Sequence, residues 1–105
     1  MKRVHALSAL LLASAALSGP VLASEALAQK AGCMACHAKD KKLVGPSYKD
    51  VAAKYAGQAD AVASLSAKVR SGGKGVWGPI PMPPNDAAKI NDADLKSVVE
   101  WLLKG

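Results

Sequence analysis

Apolar residues run together at the start of the chain and recur with a helical period further along. From Ala6 to Leu17 the chain holds only Ala, Leu and Ser. Beyond that run, Leu27, Ala31 and Met34 fall at i, i+4 and i+7, one face of a helix with Ser24 as its N-cap and Gly32 as its stop. Ser47 is placed to cap a short helix over Tyr48 to Tyr55, which Gly57 ends. Val62, Leu65 and Val69 share a face of a third helix, near Asp60 to Arg70, terminated by Ser71-Gly72-Gly73. The clearest stripe is the last: Leu95, Val98, Val99 and Leu102, capped by Asn91, with Asp92 and Asp94 in the first turn and Lys104-Gly105 at the close.

Two stretches carry no period. Lys39, Lys41 and Lys42 around Asp40 make Ala38 to Val44 a lysine-rich loop, and Gly45-Pro46 closes it as a turn. From Lys74 to Asn85, Pro79, Pro81, Pro83 and Pro84 forbid both a helix and a central strand. With no strand signal and no internal repeat, the pattern predicts an all-α domain of about four helices.

The opening run is not expected to belong to that domain. A basic Met1-Lys2-Arg3 head, an apolar stretch broken by Ser18-Gly19-Pro20, and small residues in Val21-Leu22-Ala23 make a secretory signal peptide. Cleavage after Ala23 divides the chain into a signal peptide, 1–23, and a domain, 24–105. Ala26-Leu27-Ala28 is a rival cleavage site, but cutting there would destroy the first helix. An uncleaved anchor is the other alternative, although the run is short for a bilayer.

At 105 residues, the chain has room for one domain. Its formal charge of +6 stays positive once Lys2 and Arg3 are removed, which suits an acidic partner or electrostatic steering, or simply a solvated basic surface. Nucleic acid is not indicated, because the lysines are dispersed and only 4% of residues are aromatic. A short chain without Phe has difficulty burying enough apolar area to offset its ordering entropy, so a staple is expected.

The motif that supplies one is Cys33-Met34-Ala35-Cys36-His37, the C-x-x-C-H pattern of c-type haem attachment. Two thiols at that spacing reach the two vinyl groups of one porphyrin, and the adjoining histidine becomes the proximal iron ligand. A thioredoxin-type pair would sit near a βαβ pattern, which is absent. A zinc site needs four nitrogen or sulfur ligands, which this chain cannot close. A structural disulfide is the remaining alternative. For the second axial position, Met1 leaves with the signal peptide and Met34 is tied to the proximal side, so Met82 remains, in the proline-stiffened Ile80-Pro81-Met82-Pro83-Pro84 loop. Ordinary loop packing is the alternative for Met82.

The stretches CMACHAKDKKLVGPSYKDVAAKYAG and GVWGPIPMPPN resemble small bacterial class I cytochromes c of the cytochrome c-551 type, and the likeness spans essentially all of 24–105. The resemblance implies the class I cytochrome c fold around one covalently bound haem c, with Cys33 and Cys36 as thioether anchors and His37 and Met82 as axial ligands. It also implies that the Pro46 segment holds the His37 ring through a backbone carbonyl. Trp77 would donate to a haem propionate, and Asn85 would lie near the Met82 sulfur. Lys68 falls where relatives carry a basic residue facing a propionate, without arginine's fork. A core Trp77 and a solvent-exposed Lys68 are the alternatives. Several relatives have a bulky aromatic where this chain has Ala28, and Met34 is suited to fill that space.

Such proteins carry electrons in the periplasm between a membrane bc-type complex and terminal reductases or oxidases, including nitrite reductases. The expected protein is therefore a periplasmic monomer, not an enzyme and without stable membrane insertion. Redox partners would dock transiently at the exposed haem edge, rimmed by the lysines at 30, 39, 41, 42 and 74. An enzyme or gas-binding protein with a labile Met82 is one rival; no His, Arg or Tyr is available for a distal catalytic role near Met82. A haem subunit of a larger complex is another.

Overall fold

The computed structural model describes residues 20–105, with four α-helices and no strand among them. The order is α1 (Pro20–Lys30), a 3-10 turn over Cys33–Ala35, α2 (Tyr48–Tyr55), α3 (Ala61–Ser71) and α4 (Asp92–Leu103). The expected signal peptide lies largely outside the described residues. Among those described, no helix is long and apolar enough to cross a membrane.

Most of the boundaries follow from capping chemistry. Ser47 accepts a hydrogen bond from the Asp50 N–H at 3.0 Å, and Asn91 accepts one from the Asp94 N–H at 2.8 Å. Each cap satisfies a donor that the first turn of its helix leaves unpaired, worth about 1 kcal/mol. Asp60, by contrast, precedes α3 without a side-chain cap. Helix α1 departs from the expected start. It already runs from Pro20, the first described residue, so Ser24 is buried inside it and does not cap it. The expected stop does occur: α1 ends at Lys30, and Gly32 takes a positive φ of 83° that turns the chain into the cysteine motif.

Helix α4 is the hub. Helices α1, α2 and α3 each pack on it and hardly touch one another. The core gathers Ala28 and Ala31 from α1, Tyr48, Val51 and Tyr55 from α2, Ala61 and Leu65 from α3, and Leu95, Val98, Val99 and Trp101 from α4. Met34 and Leu27 are half-buried against that cluster, while Ala28 is fully buried. Among the described residues, Val99 is the largest side chain that is fully enclosed. Two loops, 38–47 and 72–91, complete the domain and carry the two walls of the candidate site.

Candidate haem site

The first wall is the cysteine motif with the loop that folds back on it. In the 3-10 turn the Cys36 and His37 N–H groups both donate to the Cys33 carbonyl, at 3.2 and 3.0 Å. The lysine-rich loop returns to this turn through Gly45 N–H, which bonds the Cys36 carbonyl at 2.8 Å. That approach brings the Gly45 backbone under the His37 ring, where a Cβ would lie 2.6 Å from Cε1, so only glycine fits. One residue further, the Pro46 carbonyl stands 2.8 Å from His37 Nδ1. A carbonyl can only accept, so Nδ1 carries the proton and Nε2 is left with its lone pair.

Tyr48 fixes the other face of the imidazole. Its ring stacks on His37 with centroids 5.3 Å apart and planes 17° apart, and Trp101 meets it edge-on at 5.5 Å. Lys39 Nζ lies 5.9 Å from the Trp101 ring and 3.9 Å from the Glu25 carboxylate, joining the loop to α4 and α1. Burial first, and then the neighbouring Cys33, push the Tyr48 phenol well above its ordinary range. Burial likewise pushes the Cys33 thiol up. Both cysteines are free and half-buried, not joined as a disulfide.

The second wall is irregular and rests on the end of α3. Gly73 and Met82 exchange both backbone hydrogen bonds, at 2.8 and 3.1 Å. Gly72 combines a positive φ of 68° with a contact so close that a Cβ would strike the Met82 carbonyl. Asn85 is buried; its N–H donates to the Val69 carbonyl at 3.1 Å, and its Nδ2 donates to the carbonyls of Val69 and Pro83. With both amide hydrogens directed at backbone, Asn85 acts on the Met82 loop through the main chain. Trp77 sits in a turn closed by the Gly75 N–H donating to the Gly78 carbonyl, with Lys54 Nζ 5.6 Å from its ring. Lys68 is exposed on α3. The structure thus groups Cys33, Cys36, His37 and Pro46 on one wall and Met82 with Asn85 on the other, while Trp77 is tied to α2.

Sequence reasoning passed over four contributors. Tyr48 was legible as the start of α2 but not as the partner of His37. Gly45 and Gly72 read as turn residues, although each also admits a close backbone approach. Arg70 left no signal at all; its acceptors Asn85, Ile90 and Asp92 lie far along the chain.

The donor set and its surroundings fit a covalently held haem. Two free thiols and an imidazole with one nitrogen already engaged lie on a single turn. The exposed large apolar side chains, Leu43, Val44, Val76, Trp77 and Ile80, all belong to the two loops that carry the walls. Ile80 is 59% exposed and Val76 50%, an apolar lining that a flat hydrophobic group would cover.

Helices gathered on a hub, with a C-x-x-C-H turn that carries two free thiols and an oriented imidazole, define a c-type haem protein. Residues 21–105 match the family described as Cytochrome c, and the chain belongs to that family. It is 50% identical to cytochrome c-552 of Hydrogenobacter thermophilus over 94 residues, covering 90% of this chain and 93% of that one. It is 53% identical to cytochrome c-551 of Pseudomonas aeruginosa over 79 residues, covering 75% and 73%. The crystal structure of wild-type cytochrome c552 from Nitrosomonas europaea superposes with a TM-score of 0.71 at 49% identity, over 76% of this chain and 96% of that one. The chain is accordingly a small class I cytochrome c of the c-551 type, a monohaem electron-transfer protein and not an enzyme. Membership of the family means haem c bound covalently through two cysteines, and Cys33 and Cys36 are the two this chain has.

Proposed function

We propose that this cytochrome is a periplasmic one-electron carrier whose iron is held axially by His37 and Met82. In this reading it passes electrons from a membrane bc-type complex to terminal reductases or oxidases such as nitrite reductase. The observation that carries the reading is the 2.8 Å contact of His37 Nδ1 with the Pro46 carbonyl, which leaves Nε2 as the nitrogen free for iron. When bound, the haem supplies a ferrous–ferric couple. The protein's part is to hold both ligands still, so that little rearrangement accompanies transfer.

The His37 ring is fixed by Pro46 on one edge, Gly45 beneath it and Tyr48 stacked on it. Met82 is fixed by its paired hydrogen bonds to Gly73, and a neutral thioether on the iron favours the reduced state. Trp77, donating to a propionate, and Lys68 beside it belong to the same reading, as does the action of Asn85 through the loop. For docking, this reading takes the haem edge beside the cysteine turn as the apolar centre. The lysines at 30, 39, 41, 42 and 74 are exposed, and in this reading they would rim that edge with positive charge, which sets encounter rate more than affinity. Export agrees with the leader pattern, and cleavage after Ala23 would spare Ser24 and Ala28, both buried in the fold.

The test is the visible spectrum of the purified holoprotein, oxidised and reduced, with and without carbon monoxide. A low-spin spectrum with a weak long-wavelength sulfur-to-iron band and no carbon monoxide shift is expected. A high-spin spectrum that shifts with carbon monoxide would remove Met82 from the iron.

A further inference from the structure

The polar contacts of residues 82–92 converge on the last turn of α3, and chiefly on one side chain. Arg70 Nη1 lies 2.6 Å from the Ile90 carbonyl and 3.3 Å from the Asn85 carbonyl, while Nη2 lies 2.6 Å from the Asp92 carboxylate. These acceptors are the residue three beyond Met82, the residue before the α4 cap and the first residue of α4. A guanidinium can engage them together because its donors spread in a fixed planar fork; a lysine ammonium cannot reach all three. Upstream, the same helix end holds Met82 itself through Gly73, and Val69 takes both the backbone and side-chain N–H of Asn85.

We infer that Arg70 is a positioning residue for Met82: its fork straps residues 85–92 to α3 and thereby sets how rarely the sulfur leaves the iron. The inference rests on the reading of Met82 as the second axial ligand. A thioether carries no charge, so its retention depends on how seldom its loop opens locally. That loop contributes few residues to the core: of 72–91, only Asn85 and Ile90 are buried. Its closure therefore depends on directed hydrogen bonds, of which those to Arg70 are charge-assisted and the strongest.

The experiment measures carbon monoxide binding to the ferrous holoprotein by stopped flow, together with the sulfur-to-iron band and the thermal midpoint. The wild type is set beside Arg70→Gln, Arg70→Lys, Asp92→Asn and the core control Ala28→Gly. Carbon monoxide should bind Arg70→Gln about ten- to a hundredfold faster, the equilibrium equivalent of one lost charge-assisted hydrogen bond. Arg70→Lys, which keeps the charge but loses the fork, should fall between Arg70→Gln and the wild type. Ala28→Gly should lower the midpoint and leave the rate alone. An unchanged rate in Arg70→Gln, or a rate that merely follows the midpoint in Ala28→Gly as well, would overturn the strap. Should Arg70→Gln not assemble, Asp92→Asn decides, because the Asp92 side chain is 96% exposed and tolerates change; no rise in its rate overturns the inference equally. A wild type that lacks the sulfur band and binds carbon monoxide at once would instead overturn Met82 as the ligand, and the strap with it.

Discussion

The two walls of the haem site are built on opposite principles. Around His37 local hydrogen bonds are backed by packing: a tight turn, a glycine beneath the ring, Tyr48 stacked on it and, from far along the chain, Trp101 against Tyr48. Around Met82 the side chains are largely exposed, and order comes from hydrogen bonds that reach back to α3. Packing of the first kind resists local opening because many contacts must fail together. Directed bonds of the second kind can be lost one at a time, so this wall belongs to the low-stability end of the molecule. If His37 and Met82 are the two axial ligands, as proposed, the thioether is the weaker one, and the wall holding it is where retention is decided.

The largest test removes what both walls share. With Cys33→Ala and Cys36→Ala together, no haem is attached, and the two loops have only each other to cover their apolar side chains. The haem-free chain is expected to be largely unfolded, without a cooperative melt by circular dichroism. A native-like melt would mean that the α4 hub suffices by itself.

Two glycine substitutions then separate the walls. Gly72→Ala would force a side chain into the left-handed region and against the Met82 backbone, at a cost of about 3 kcal/mol. It should also admit carbon monoxide. Gly45→Ala needs no unusual φ but drives a Cβ against the His37 ring, costing about 1–3 kcal/mol. It should perturb the histidine while leaving the sulfur-to-iron band in place. Chemical denaturation gives the costs and the visible spectrum gives the sides. Indistinguishable spectra for the two variants would dissolve the contrast.

A milder change probes the packed side. Met34 is half-buried against the core beside the fully buried Ala28, and Met34→Val is expected to leave a small cavity costing about 0.5–2 kcal/mol. An unchanged melting midpoint would show that Met34 fills no such space.

The contrast between the walls also explains what the sequence disclosed. Helices α2, α3 and α4 were legible to within a residue or so because Ser47, Asn91 and the glycines punctuate periodic stripes, and local chemistry is what a sequence displays. Ser24 was misjudged as a cap because it has the right chemistry for one, yet the helix already runs upstream of it and leaves it no unpaired first turn to cap. The cysteine turn could be read directly from its spacing, whereas the hold of Pro46 on His37 came from the family resemblance, and Tyr48 was missed although it lies only eleven residues from His37. The Met82 wall could be named by elimination but not assembled. Arg70 meets its partners across 15 to 22 residues, and nothing in a period or a dipeptide encodes such a pairing.

The smallest effect compares the same interaction on both walls. Lys39 stands 5.9 Å over Trp101, which is buried, and Lys54 stands 5.6 Å over Trp77, which is 41% exposed. A cation near a ring is worth about 0.5–1 kcal/mol where water competes and more where it does not. Lys54→Gln should therefore cost about 0.5 kcal/mol. Lys39→Gln should cost nearer 1 kcal/mol, because it faces a buried ring and also pairs weakly with Glu25. A double-mutant cycle of Lys54→Gln with Trp77→Leu isolates the exposed pair. If Lys54→Gln costs the same with and without the indole, the lysine does not hold Trp77, and the Met82 wall depends on the hydrogen bonds to α3 even more than the geometry suggests.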